Sequence, residues 1–339
     1  GAAGGAAGGA AGGAAGGAAG GAADHPLATT ADSKWAEWHA DEELRYEIRK
    51  DVDRTLPDYA FFNKEQAAGR LHHEAISRVL FIYAKLNPGI RYVQGMNEVL
   101  APIYYVFCQE LEWARKESEA AGGEGGEAAG EAAGVSPLDA EEEAAALAAV
   151  EADAFFCFTN LMAETRDHFC SKLDHTELGI TAKISALETL IRRKDPELGA
   201  TLAALKVSPS FYGFRWLTLL MTQEFDLPDV LRLWDSLLSD SRRFLQEGSF
   251  DFLLYVGATM VLCMRDELLE HNDFAYSVKK LQHFEDHLPV HALVARAAEL
   301  YFDDYPALRP EPALRPEPSM RSASATPSSS APSASASAG

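Results

Sequence analysis

Long hydrophobic runs are scarce in this 339-residue chain, and the longest, Phe252 to Met264, is too short to span a bilayer as a helix. No charged-then-apolar leader opens it. Residues 1–23 are instead a Gly/Ala tandem, without the order of a signal peptide or the Arg/Ser content of a transit peptide. A soluble chain is therefore expected. No Met stands first, which suggests a processed product, a fragment or an incomplete gene model. Basic residues are outnumbered, 30 Lys and Arg against 51 Asp and Glu, for a net charge of −21. That balance argues against nucleic acid or an anionic lipid surface as the main partner. Cysteine is rare: Cys108, Cys157, Cys170 and Cys263 form no CxxC pair and sit mostly among apolar neighbours. Free thiols buried in a reducing compartment account for them. Runs of period two are missing as well, so no sheet is expected.

Several familiar chemistries are also absent. Nothing resembles a phosphate-binding Walker loop, so the chain is not expected to hold a nucleotide by itself. No Ser or Cys nucleophile motif stands out. His283, His287 and His291 recur every four residues, but Pro289 falls between them and no Cys or carboxylate completes a ligand set. His72-His73-Glu74 does not continue into a zinc-protease spacing. No cofactor or metal of the chain's own is expected.

What is present is helical. Hydrophobic residues make up 47% of the chain, enough for a sizeable core. Capping residues Ala31-Asp32-Ser33 precede a helix from about Trp35 to Arg54, ended by Pro57. Helices follow at roughly 70–86 and 92–113. Between Arg115 and Glu151 ten acids face two bases, a local net charge of −8. Residues 115–137 therefore read as an acidic flexible linker leading into a helix at about 139–166. Further helices are expected over Ile180–Lys194, from Pro196 to about Leu205, over Phe211–Glu224 and from Leu227 through Leu238. A long buried helix over Phe250–Glu270, capped by Ser249, and two more at 274–286 and 290–303 complete the set. Fold class is thus all-α: disordered residues 1–30, one multi-helix domain over 31–305 interrupted by the acidic insertion, and a Pro/Ser/Ala-rich tail over 306–339.

Two stretches carry candidate chemistry. The first is Ile48-Arg49-Lys50-Asp51-Val52-Asp53-Arg54, where Ile48 and Val52 should pack inward and Asp51 can hold Arg54 three residues on. By spacing alone, it reads as an ion pair that places a cation at a helix C-terminus. The second is Asn87-Pro88-Gly89-Ile90-Arg91-Tyr92-Val93-Gln94-Gly95-Met96-Asn97-Glu98. Asn-Pro-Gly stops one helix and another restarts near Tyr92, which places Gln94 in or near the first turn. Gly95 would let another backbone or a ligand approach closely. A polar residue that merely opens a helix remains an alternative.

Together these stretches resemble the TBC domain, the helical domain of Rab GTPase-activating proteins. Its Ile-x-x-Asp-x-x-Arg motif is met by Ile48, Asp51 and Arg54, and its Tyr-x-Gln motif by Tyr92 and Gln94. Similarity continues through Phe214-Arg215-Trp216-Leu217, Gln223-Glu224-Phe225 and Leu231-Arg232-Leu233-Trp234-Asp235, covering roughly Trp35 to Phe302. The wording of Leu80–Gly89 matches one particular member type. The resemblance implies that Arg54 and Gln94 enter the nucleotide site of a Rab-family small GTPase, which carries the GTP and Mg²⁺. Asp51, Tyr92, Gly95 and Asn97 would support them; Trp234 and Asp235 read as structural. A cytoplasmic protein, reaching endomembranes only through its Rab, is implied. The rival is a Rab-binding scaffold without catalysis, although such domains usually lack the Arg or the Gln. Departures exist: Leu56 stands where many members have Phe, and Arg91 where many have Gly. The Gly/Ala tract occupies the place of upstream helices, a loss expected to expose apolar surface and weaken the domain.

Overall fold

Apolar residues spaced three and four apart dictate the architecture. The computed structural model describes residues 33–123, 140–169, 179–240, 251–284 and 288–310. Among them there are twelve α-helices and no strand. In chain order these are α1 (Lys34–Val52), α2 (Ala67–Leu86), α3 (Met96–Gly123), α4 (Ala140–Phe169), α5 (Ile180–Lys194) and α6 (Pro196–Ala204), then α7 (Gly213–Thr218), α8 (Leu227–Leu238), α9 (Asp251–Cys263), α10 (Arg265–His271), α11 (Phe274–Gln282) and α12 (Val290–Asp304). Helix α1 starts on Ser33, whose hydroxyl accepts from the Trp35 amide, and Asp195 caps α6 by accepting from Leu198.

Helices α1, α2, α3 and α4 pack together, while α5, α6, α8, α9 and α12 form a second group joined to the first through α4, α7 and α8. One continuous core runs through both, from Ile48, Val79 and Leu100 to Leu187, Trp216, Leu233 and Met260. Helix α9 is buried along nearly its whole length, as its uniformly apolar sequence requires. The Glu141–Thr165 stretch of α4 is long and apolar enough to pass for a membrane span. It nevertheless packs on α2 and α3, buries Ala154, Phe158 and Met162, and offers Glu151 to Arg78.

Several expected boundaries move. Helix α1 ends at Val52, so Arg54 lies in the turn beyond it rather than in its last turn. Helix α3 begins at Met96, not near Tyr92, because Gly95 at φ 103° cannot continue an α-helix. Gln94 therefore sits in the turn before the helix. At its other end α3 extends to Gly123, through the first residues of the expected linker, since Ala and Glu favour helix continuation. The expected long helix over 250–270 is broken at Met264 into α9 and α10, and the Phe211–Glu224 segment contains only the short α7 before a turn. Residues 306–308 add a 3₁₀ turn where the tail was expected. The Gly/Ala tract, the rest of the acidic linker, Cys170, Ser249, His287 and the tail beyond 310 lie outside the described residues. Of the other cysteines, Cys108 is buried as expected, Cys263 half-buried and Cys157 exposed.

Candidate functional site

The end of α1 and the turn before α3 meet over a shared polar cluster. Asp51, 7% exposed, faces Arg54 across one turn and accepts from Nη2 at 2.5 Å. Its other oxygen accepts from the Tyr92 hydroxyl at 2.8 Å. Burial, reinforced by that bond to Asp51, pushes the Tyr92 phenol far above its ordinary range, so it stays a donor. Arg54 remains more than half exposed, so its ion pair adds little to stability. A guanidinium carries five N–H donors, and the bond to Asp51 leaves most of them for a partner.

Asn97 ties the two segments from below. Its amide donates to Thr55 Oγ1 at 2.9 Å and to the Asp51 carbonyl at 3.3 Å, and its oxygen accepts from the Gly95 amide at 3.2 Å. Both Asn97 and Thr55 are buried, where an unpaired polar group is costly, so this net fixes the Gln94-Gly95 turn against α1. At φ 103° Gly95 adopts backbone that other residues rarely take, and a Cβ there would lie 2.5 Å from Leu219 Cδ2. The torsion requires the glycine, and a Cβ there would in addition oblige the Leu219 side chain to shift. Gln94 itself is exposed beside it.

Leu219 opens the far wall. Behind α7, Leu220 and Met221 take positive φ of 51° and 65°, which turns the chain sharply. Trp234 of α8 is buried and donates Nε1–H to the Leu220 carbonyl at 2.9 Å. Arg215 grips Glu224 with two bonds of 2.6 and 2.9 Å across the same turn and reaches the Gln282 carbonyl. The turn presents Thr218, Leu219 and Gln223, opposite Asp51, Arg54, Gln94 and Asn97, across a cleft of about 500 Å³. Exposed Phe214 stands at its edge. On its floor Glu98 has its carboxyl pushed up by burial, partly offset by hydrogen bonds from Asn97 and Gln223.

Arg54, Gln94, Asp51, Gly95 and Asn97 thus meet at the cleft, Tyr92 acting from behind its wall. Phe214, Thr218, Leu219, Gln223 and Glu98 were missed as cleft residues. The blocks around Phe214 and Gln223 were legible as similarity, but no spacing rule places them opposite Arg54. As a chemical device the cleft offers the exposed Arg54 cation and the exposed Gln94 amide on a preorganised frame, while its other cation, Arg215, is held by Glu224. Among the described residues no cluster of His, Cys, Asp and Glu suits a metal.

A family model described as the Rab-GTPase-TBC domain matches residues 30–269. The chain belongs to this family. TBC1 domain family member 13 from Mus musculus and from Homo sapiens is 36% identical over 323 residues, covering 77% of this chain and 71% of each relative. A TBC domain-containing protein of Schizosaccharomyces pombe is 30% identical, covering 79% of this chain and 56% of its own length. Among solved structures, the Ypt/Rab-GAP domain of Gyp1p shares the fold, with a TM-score of 0.60 at 23% identity over 78% of this chain and 74% of that one. The two departures of this TBC domain noted in sequence both fall at left-handed backbone. Leu56 has φ 43° and Arg91 has φ 63°. A glycine at position 91 would adopt that torsion freely, whereas arginine holds it under strain.

Proposed function

We propose that this chain is a GTPase-activating protein for Rab-family GTPases, with Arg54 as the arginine finger and Gln94 as the residue that orients the attacking water. The observation that carries the reading is the joint presentation of Arg54 and Gln94 on one outward-facing cleft, locked together through Asp51, Tyr92 and Asn97. A Rab supplies its own phosphate loop and Mg²⁺; what it lacks is positive charge for the transition state and a well-held water. Arg54 neutralises charge developing on the γ-phosphoryl and leaving oxygens. Gln94 holds the water in line. Asp51 and Tyr92 set the direction of Arg54, and Gly95 and Asn97 set that of Gln94, so little reorganisation remains at the moment of reaction. Exposed Phe214 provides an apolar contact for the docked GTPase. The protein works in the cytoplasm, at the membranes its Rab partner marks.

The test is GTP hydrolysis by a panel of purified Rabs in the presence of this chain. Acceleration of at least one Rab, lost on substitution of Arg54 or Gln94, is the expected result. A Rab that binds tightly while its hydrolysis stays at the intrinsic rate would instead make the chain a non-catalytic Rab-binding scaffold.

A further inference from the structure

A groove of about 520 Å³ lies between α1 and α2 and shares no lining residue with the Arg54–Gln94 cleft. Its walls gather positive charge in a chain whose overall balance is strongly negative. Arg45 and Arg49 come from successive turns of α1, Lys64 from the connection, and Arg70 and Arg78 from α2. Of the groove's own lining only Asp53 and Glu74 are acidic, while Glu42 and Glu151 reach Arg45 and Arg78 from outside it.

The arginines are arranged to receive rather than to be neutralised. Arg49 has no acidic partner among the described residues. Arg45 lies over the Phe81 ring at 3.9 Å, and its contact with Glu42 is a loose 3.7 Å. Arg70 is oriented by the carbonyls of Lys64 and Glu65 at 3.2 and 3.1 Å, which leaves its charge uncompensated. Arg78 is committed to Glu151, and Lys64 lies 3.8 Å from Asp53. At the back of the groove stands His73, 8% exposed, with neither ring nitrogen hydrogen-bonded. Its nearest acid, Asp53, is 3.7 Å away, too far for a hydrogen bond. Buried imidazole nitrogens ordinarily find partners. Here an unpaired one lines a cationic groove.

We propose that this groove binds a ligand carrying clustered phosphates, either a soluble polyphosphate or the headgroup of a phosphoinositide. Forked guanidiniums take phosphate oxygens in pairs, while His73 supplies a further bond at the base. Salt screens the distant acidic residues over a Debye length of about 8 Å, so the local excess of cations governs what approaches.

Isothermal titration calorimetry with pyrophosphate and with inositol hexakisphosphate tests the site on the full chain. Binding by the parent should fall about tenfold or more in Arg49→Gln, the loss of one charge-assisted contact. Arg45→Gln should behave alike, and both positions are exposed, so folding is preserved and checked by circular dichroism. Arg232→Gln, on exposed α8 surface, removes the same charge elsewhere and should leave binding unchanged. A parallel flotation assay uses phosphatidylcholine vesicles carrying phosphatidylinositol bisphosphate, against phosphatidylserine vesicles of equal surface charge. Retention on the former alone, reversed by inositol hexakisphosphate, supports the site and identifies a lipid headgroup. Soluble binding without retention supports it and identifies a free polyphosphate. No binding of either soluble probe overturns the proposal, as does equal weakening in Arg232→Gln or equal retention on phosphatidylserine.

Discussion

Replacing Gly95 by alanine tests the geometry on which the cleft depends. Two separable penalties follow from the structure. Holding a residue with a side chain in the sparsely populated torsion at φ 103° is worth about 1–3 kcal/mol. Forcing a methyl against Leu219 Cδ2, 2.5 Å from where it would sit, adds an overpacking penalty of about 1–3 kcal/mol. Gly95→Ala should therefore destabilise the domain by about 2–6 kcal/mol, measured by urea denaturation followed by circular dichroism. The two parts come apart in a double-mutant cycle with Leu219→Ala. Leu219 is 7% exposed, so its truncation alone leaves a cavity worth about 2–5 kcal/mol. In the double variant the new methyl enters the space the leucine vacated. The combined loss should then fall short of the sum of the single losses by about 1–3 kcal/mol. The torsional part persists in every variant in which alanine replaces Gly95. Additivity within about 0.5 kcal/mol would refute the contact. A Gly95→Ala domain as stable as the parent would refute both the contact and the torsion.

The remaining predictions concern catalysis, strain and pH. Arg54→Ala should lower stimulated hydrolysis by a responsive Rab about 10³–10⁵-fold, or roughly 4–7 kcal/mol of barrier. Arg54→Lys should do almost as badly because an ammonium lacks the planar fork, and Gln94→Ala should also be severe, with circular dichroism unchanged in all three. Full activity in Arg54→Ala would leave Arg54 as an ion-paired helix end. Arg91→Gly should relieve about 1–2 kcal/mol of left-handed strain against about 0.4–1 kcal/mol of added chain entropy. A small rise in melting temperature is expected, and a fall would mean that the side chain carries a contact of greater worth. His72, stacked on Phe61 at 3.9 Å and 3.1 Å from the Tyr104 hydroxyl, has its pKa lowered by burial, and secondarily by His73, from the ordinary 6.5 to about 4. Between those values the unfolded chain binds the proton that the folded one refuses. Stability is thus complete above pH 6.5 and declines as pH falls toward 4. His72→Phe should show a shallower decline over that window in urea titrations at stepped pH.

Helix content was readable from periodicity, because a 3.6-residue apolar repeat has few other ways to be buried. The pair of motifs was readable too: Ile48, Asp51 and Arg54 at fixed spacing, then Tyr92 and Gln94. Where a helix would begin was less accessible. Helix α3 cannot begin before Met96 because Gly95 takes a positive torsion, which the buried Asn97 bond to its amide holds and no spacing around it reveals. Nor does any spacing rule reveal that Leu220 and Met221 turn left-handed. That turn is secured by a hydrogen bond from Trp234, fourteen residues from Leu220, and by the Arg215–Glu224 clamp.

The sequence by itself determined the all-α class, since local spacing fixes which residues share a helix face, and its resemblance to TBC domains singled out Arg54 and Gln94. Only the tertiary structure decided that Asp51 holds Arg54 and Tyr92 at once, and that Asn97 stitches the Gly95 turn to α1. It also decided that a wall more than a hundred residues away closes the cleft, and that five scattered cations and one unpaired histidine meet between α1 and α2. Burial and hydrogen bonding between distant segments depend on how helices cross. Crossing is set by the whole core, which no single stretch of sequence contains.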